Sequence, residues 1–138
     1  MTAEQVTDIL NKRSGVLGVS GVSSDFRDLM KAAEEGNERA TLALNMFTYH
    51  VRSYIAGYAA AMGGVDAVVF TAGIGENTME IRRDSVKGLA YMGVEIDEEK
   101  NKARGVELDI SAPGAKVKTF IIPTNEELMI ALDTKALI

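Results

Sequence analysis

The chain has 138 residues, 46% of them apolar and 25% charged, enough apolar side chains to bury a core and too many for a disordered tail. Fifteen basic and twenty acidic residues leave a net charge of -5, and the basic ones stand singly or in pairs such as Arg82-Arg83, which argues against nucleic acid or an acidic membrane surface as a partner. With no cysteine there is no disulfide framework, thiolate metal site or cysteine nucleophile, which fits a reducing, cytoplasmic setting.

The opening MTAEQVTDILNKRSG lacks the basic-then-apolar pattern of a secretory leader. It predicts a helix over Ala3–Lys12, with Thr2 as N-cap, Gln5 at capping-box spacing and Val6, Ile9 and Leu10 as its apolar face. The stretch VLGVSGVSSDFRD, with two glycines and regularly placed valines, reads as an irregular loop. A helix follows from about Asp25 to Glu35, stopped by Gly36, and Asn37 caps a longer one. From Glu38 to about Met62, Leu44, Phe47, Val51, Tyr54, Ile55, Tyr58 and Met62 recur at three- and four-residue spacing, predicting one broad buried face. His50 lies on this helix and reads as a partly buried packing residue. The glycines and Asp66 that interrupt the apolar window from Tyr54 to Phe70 exclude a membrane span there.

Gly63-Gly64 ends the long helix, and VDAVVFTAG has the consecutive apolar pattern of a parallel strand covered on both faces. A helix from about Thr78 to Leu89 is expected next, with Asn77 as N-cap and Glu80 at its third position. GVEID and GVELD read as short extended pieces around the polar bridge EEKNKARG. KVKTFIIP is a second apolar strand, and TNEELMIALDTKAL a terminal helix beginning after Pro123. Strand, helix, strand, helix is a right-handed βαβα order, hence an α/β fold with parallel strands and flanking helices. Two core strands are fewer than such a sheet usually has, so the chain reads as the later part of a larger fold.

Three stretches carry candidate chemistry. In Gly73-Ile74-Gly75-Glu76-Asn77 a glycine-lined turn leads from a strand into a helix, a geometry that receives phosphate or a nucleotide edge, although two glycines also serve a tight turn with no ligand. In Ser23-Ser24-Asp25-Phe26-Arg27, Ser24 suffices as a helix cap, Asp25 as a dipole partner and Phe26 as a core residue. The other reading makes Phe26 and Arg27 one wall of a base or ribose pocket. In Thr124-Asn125-Glu126-Glu127, Thr124 and Glu127 have capping-box spacing. Glu126, at the second helical position, has no such role, and it is either a surface residue or a carboxylate for Mg²⁺.

Together, SGVSSDFRD, VVFTAGIGEN and IPTNEELMIALDT, in this order and spacing, resemble the carboxy-terminal third of the bacterial acetate kinase family, over nearly all 138 residues. The resemblance implies part of a ribonuclease-H-like domain of the actin and sugar-kinase type, here an incomplete carboxy-terminal portion of the nucleotide-binding domain. It implies reversible transfer of the γ-phosphoryl group of ATP to acetate, giving acetyl phosphate and ADP. Asp25, Phe26 and Arg27 match the family's adenosine-contacting segment, Gly73, Ile74, Gly75, Glu76 and Asn77 its second nucleotide-binding loop, and Glu126 its magnesium residue. The implied partners are ATP, ADP, Mg²⁺ and acetate, in a homodimeric, cytoplasmic enzyme. The family's N-terminal domain, its catalytic Asp, substrate-binding Arg, phosphate-contacting Asn and charge-stabilising His and Arg have no counterpart in this sequence, and Leu132 stands where the family's IARDT pattern has arginine. These 138 residues are therefore expected to be a cloned or trimmed piece of the enzyme, without catalytic residues and inactive by themselves. The alternatives are a stand-alone module that binds nucleotide or a partner, and a piece of a propionate or butyrate kinase.

Overall fold

The computed structural model describes residues 1–137, in which the chain divides into two units, residues 1–61 and the remainder from Met62.

The first unit is helical. α1 (Ala3–Lys12) opens on the expected reciprocal cap: the Gln5 N–H donates to Thr2 Oγ1 at 3.2 Å and the Thr2 N–H to Gln5 Oε1 at 2.8 Å. Its apolar residues are not buried, and Leu10 stays exposed. The segment expected to be a loop instead begins with a helix, α2 (Gly15–Ser20), closed by Gly21 at φ 67°. Glycine and valine favour helix weakly, and a tertiary contact overrides them: the Arg39 guanidinium donates to the Val19 carbonyl at 2.9 Å and the Gly18 carbonyl at 3.3 Å, satisfying acceptors a helix end leaves bare. α3 (Phe26–Glu34) is capped by Asp25 rather than Ser24. Gly36, at φ 91°, turns the chain toward α4 (Glu38–Met62), where Asn37 Oδ1 accepts from the Ala40 N–H at 3.0 Å.

The extent of α4 matches its periodicity, but its buried positions do not. Ala40, Ala43, Thr48 and Ala59 are buried, whereas Tyr54, Tyr58 and Met62 are more than 60% exposed and Leu44, Phe47, Val51 and Ile55 only partly covered. Small side chains carry the full burial, and the large residues on the same face are covered only in part or, toward its end, not at all. His50 is likewise exposed, edge-on to Tyr49.

The second unit holds a three-stranded sheet in the order β1-β3-β2. β1 (Ala67–Phe70) runs parallel to β3 (Lys118–Ile121), pairing Ala67 with Lys118 and Phe70 with Ile121, and β2 (Leu108–Asp109) is antiparallel to β3. The extended pieces expected around the polar bridge are present as β2 and as single bridges, Val94 with Val117 and Ile96 with Ser111. Between the strands lie α5 (Ala72–Asn77), α6 (Met79–Val86) and 3₁₀ turns at Ala90–Met92 and Lys100–Lys102; α7 (Glu126–Ala136) ends the described chain.

Val68, Phe70, Ile81, Val86, Val94, Ile110, Val117 and Ile121 form the core of this unit. The expectation of strands covered on both faces is not met. β1 alternates, with Val68 and Phe70 buried but Val69 48% exposed, and just beyond β3 Ile122 is 38% exposed. A run of consecutive apolar residues equips a strand for two covers, and among the described residues only one is present. α7 is exposed along its whole length, including Leu128, Met129, Ile130 and Leu132.

Candidate functional site

Because β1 and β3 are parallel neighbours, the segments leaving their carboxyl ends emerge side by side, where open α/β sheets bind ligands. The Ile122 N–H donates to the Phe70 carbonyl at 3.0 Å, so the two exits stay joined past the last paired residues. Between them lies an open cleft of about 400 Å³, lined by Ala72 and Gly73 on one side and by Thr124, Asn125, Glu126 and Glu127 on the other. The glycine stretch and the magnesium candidate are thus brought together.

The local backbone departs from expectation in both walls. The glycines do not form a turn ahead of a helix; Gly73–Asn77 are themselves helical, as α5. The turn is made one residue earlier, by Ala72 at φ 58°, the one non-glycine residue with positive φ among those described. A side chain in that region stores strain of about 1–3 kcal/mol, of the kind found at ligand clamps. Asn77 is accordingly not the N-cap of α6 but the last residue of α5, its side-chain amide donating to the Gly73 carbonyl at 3.0 Å. Thr78 takes the N-cap position, which puts Glu80 at the second helical residue.

The two glycines differ in what surrounds them. A Cβ at Gly73 would meet nothing within 4 Å, while one at Gly75 would stand 3.3 Å from the Phe70 backbone carbonyl carbon. Gly73 is therefore open toward the cleft, and Gly75 allows α5 to lie against the end of β1. Ile74 is half-buried.

In the other wall Asn125, not Thr124, caps α7, its Oδ1 accepting from the Leu128 N–H at 3.1 Å. Glu126 and Glu127 are consequently the first and second helical residues. Thr124 is engaged elsewhere: its N–H and its hydroxyl both donate to Glu76 Oε1, at 2.8 and 3.2 Å. Glu126 is exposed, and no cluster of three or more His, Cys, Asp or Glu able to hold a metal occurs among the described residues. An exposed carboxylate beside a cleft fits Mg²⁺, which takes one or two protein carboxylates and completes its shell with water and phosphate oxygens.

One residue central to this arrangement escaped the sequence reading. Arg82 is fully buried, its Nη1 donating to the Gly75 carbonyl at 2.8 Å, its Nε to Asn101 Oδ1 at 2.8 Å, and its Nη2 to the carbonyls of Asn101 and of Ala103. Burial lowers the pKa of this guanidinium, and the charge of Glu80 acts in the opposite direction. The signal was present: Arg82, Ser85, Val86 and Leu89, all buried, stand at helical spacing, so the period itself puts Arg82 on the inner face.

Asp25, Phe26 and Arg27 lie in the first unit, at the start of α3. Asp25 Oδ1 accepts from the Arg27 N–H at 2.8 Å, and its Oδ2 lies 2.6 Å from Arg27 Nη2. The guanidinium is thereby held in place although its side chain is 90% exposed. The Phe26 ring is half-buried, edge-on to Phe47 at 4.7 Å. The Arg27 side chain, and then its backbone N–H, hold the Asp25 carboxyl at about 2, below its ordinary 3.8. A depressed carboxylate supports the fold above its unfolded value and ceases to do so as pH falls through the folded one. The α3 cap is thus expected to persist through mild acid and be lost between about pH 3.8 and 2. A carbon-13 titration of the Asp25 carboxyl checks this, and a midpoint at 3.8 contradicts it.

Comparison with known proteins adds four observations. The sequence profile described as the Acetokinase family matches residues 1–132. Acetate kinase of Heliobacterium modesticaldum is 61% identical over 138 residues, all of this chain and 34% of that protein. Among solved structures, Porphyromonas gingivalis acetate kinase superposes with a TM-score of 0.93 at 48% identity, covering 99% of this chain and 34% of that one. A propionate kinase from Francisella tularensis gives 0.85 at 38% identity, covering 95% and 33%. The chain thus spans about a third of the length of the relatives it matches.

Proposed function

From the premise that this chain belongs to the acetokinase family, whose fold is the ribonuclease-H-like α/β class, we propose that it supplies the nucleotide and magnesium side of an enzyme that transfers the γ-phosphoryl group of ATP to acetate, reversibly. In this reading the chain is the carboxy-terminal third of that enzyme. The observation that carries it is the cleft at the carboxyl ends of β1 and β3, with open Gly73 on one side and exposed Glu126 on the other.

Gly73–Asn77 receive the nucleotide, Gly73 presenting bare backbone to it, and Asp25, Phe26 and Arg27 contribute adenosine contacts. Phe26 offers an aromatic edge and Arg27 a planar cation whose orientation Asp25 fixes. Glu126 would hold Mg²⁺, which neutralises charge on the phosphates when bound. The chain's own share of the reaction is positioning, since in-line phosphoryl transfer depends on alignment and charge neutralisation. Acetate is proposed as acceptor from the 61% identical relative's name; a propionate kinase also matches at lower identity. A cytoplasmic homodimer belongs to the same proposal. Its support is the exposed apolar surface of α4 and the finding that no described helix is long and apolar enough to cross a membrane.

Titration of the chain with adenosine, ADP and MgATP, followed calorimetrically, tests the nucleotide assignment. Adenosine is expected to provide most of the affinity, with a Kd in the high micromolar to millimolar range, roughly -4 to -6 kcal/mol. Gly73→Val, filling the open side of α5, is expected to weaken binding about tenfold or more without loss of stability. Binding that is tight, strongly magnesium-dependent and indifferent to Gly73→Val overturns the assignment.

A further inference from the structure

The two walls of the cleft belong to segments far apart in sequence, and one side-chain contact joins them. Glu76 Oε1 accepts both the N–H and the hydroxyl of Thr124, across 48 positions. Glu76 is itself held from behind. Its carbonyl accepts from the Gly105 N–H at 3.2 Å, and the preceding carbonyl, of Gly75, is held by buried Arg82. Its side chain is not among those lining the cleft. Local helix physics does not account for a carboxylate here, because Glu76 is the penultimate residue of α5, where the helix dipole disfavours an anion.

We propose that the Glu76 side chain is a positioning group: the nucleotide meets the backbone of Gly73–Asn77, while this carboxylate points away from it and locks the segment Thr124–Glu126 to the glycine helix, so that the nucleotide side and the magnesium side of the cleft move as one body. The proposal rests on the reading of Gly73–Asn77 and Glu126 given above. A charge-assisted bond to a backbone N–H is a strong tether, and here it fixes the residue just ahead of the Asn125 cap, hence where α7 begins and where Glu126 is presented. The hydroxyl bond adds orientation, since Thr124 is held by two groups on one oxygen.

The test is amide hydrogen exchange and chemical-shift mapping on the 138-residue chain and on its Glu76→Gln and Glu76→Ala variants, each without ligand and with ADP. Without ligand, the Thr124 amide is expected to exchange about tenfold faster in Glu76→Ala than in the parent. Glu76→Gln, whose side-chain oxygen still accepts, should stay within about threefold. With ADP, the parent and Glu76→Gln should show shifts at both Gly73–Asn77 and Thr124–Glu126, and Glu76→Ala at Gly73–Asn77 alone. Equal Thr124 exchange in all three proteins overturns the proposal. So does an ADP response at Thr124–Glu126 that survives Glu76→Ala, or a response at Gly73–Asn77 that Glu76→Ala abolishes, since the latter makes Glu76 a ligand contact. If ADP shifts nothing in the parent, the nucleotide reading fails, and the ligand-free exchange of Thr124 decides the tether by itself.

Discussion

Replacing Arg82 by methionine is expected to destabilise the chain by about 4 kcal/mol, a large fraction of the whole stability of an ordinary domain. Methionine fills a similar volume, so the loss is not a cavity. It is the removal of the donors that satisfy Asn101 Oδ1 and the carbonyls of Gly75, Asn101 and Ala103, at a site with no exposed surface. Each buried acceptor left without a partner costs about 1–3 kcal/mol. Arg82→Lys keeps the charge but not the planar fork, and three donors on one nitrogen cannot reach four acceptors spread around the guanidinium, so it should cost nearly as much. Urea denaturation monitored by circular dichroism measures both variants; a loss below about 1 kcal/mol for Arg82→Met would show that water or a rearranged loop replaces the guanidinium.

Gly75→Val is expected to destabilise the chain by about 2–3 kcal/mol, while the same substitution at Gly73 leaves stability nearly unchanged. Glycine spacing alone treats the two alike. In the structure the added Cβ at position 75 faces the backbone of Phe70 at 3.3 Å, which cannot move without disturbing the end of β1, whereas at position 73 it meets open space. Thermal melts of the two variants separate the roles, with a large fall in Tm at 75 and little at 73. Equal melting temperatures would mean that α5 is free to lift off the strand.

Local signals account for what the sequence made legible. The Thr2 and Gln5 cap, the Asn37 start of α4, both four-residue strands and the short extended pieces near Ile96 and Leu108 follow from capping chemistry and apolar patterning. What was misjudged depended on contacts between distant residues. α2 forms among poor helix formers because Arg39 reaches its carbonyls, and the buried stripe of α4 follows small residues whose burial an apolar tally underrates. In the site, the glycine stretch and Glu126 were picked out. Their meeting is a consequence of β1 and β3 being neighbours, which no local pattern reports, and the parts played by Arg82 and by Glu76 toward Thr124 exist only once the chain is folded.

The register that sets Ala67 opposite Lys118 also governs how the second unit is made. The antiparallel pair of β2 and β3 can form locally, but β1 finds β3 only after the whole intervening segment has closed, at an entropic cost of about 3 kcal/mol before any pairing compensates it. Contacts of this range slow folding, so the helices of the first unit, which need only near neighbours, are ready earlier. During synthesis at the usual pace β1 leaves the ribosome roughly 3–10 s before β3 exists to receive it. For that interval the edge of Ala67–Phe70 that β3 will take is open and apolar, and the nascent chain depends on that edge being shielded from other copies of itself until Lys118–Ile121 has emerged to cover it.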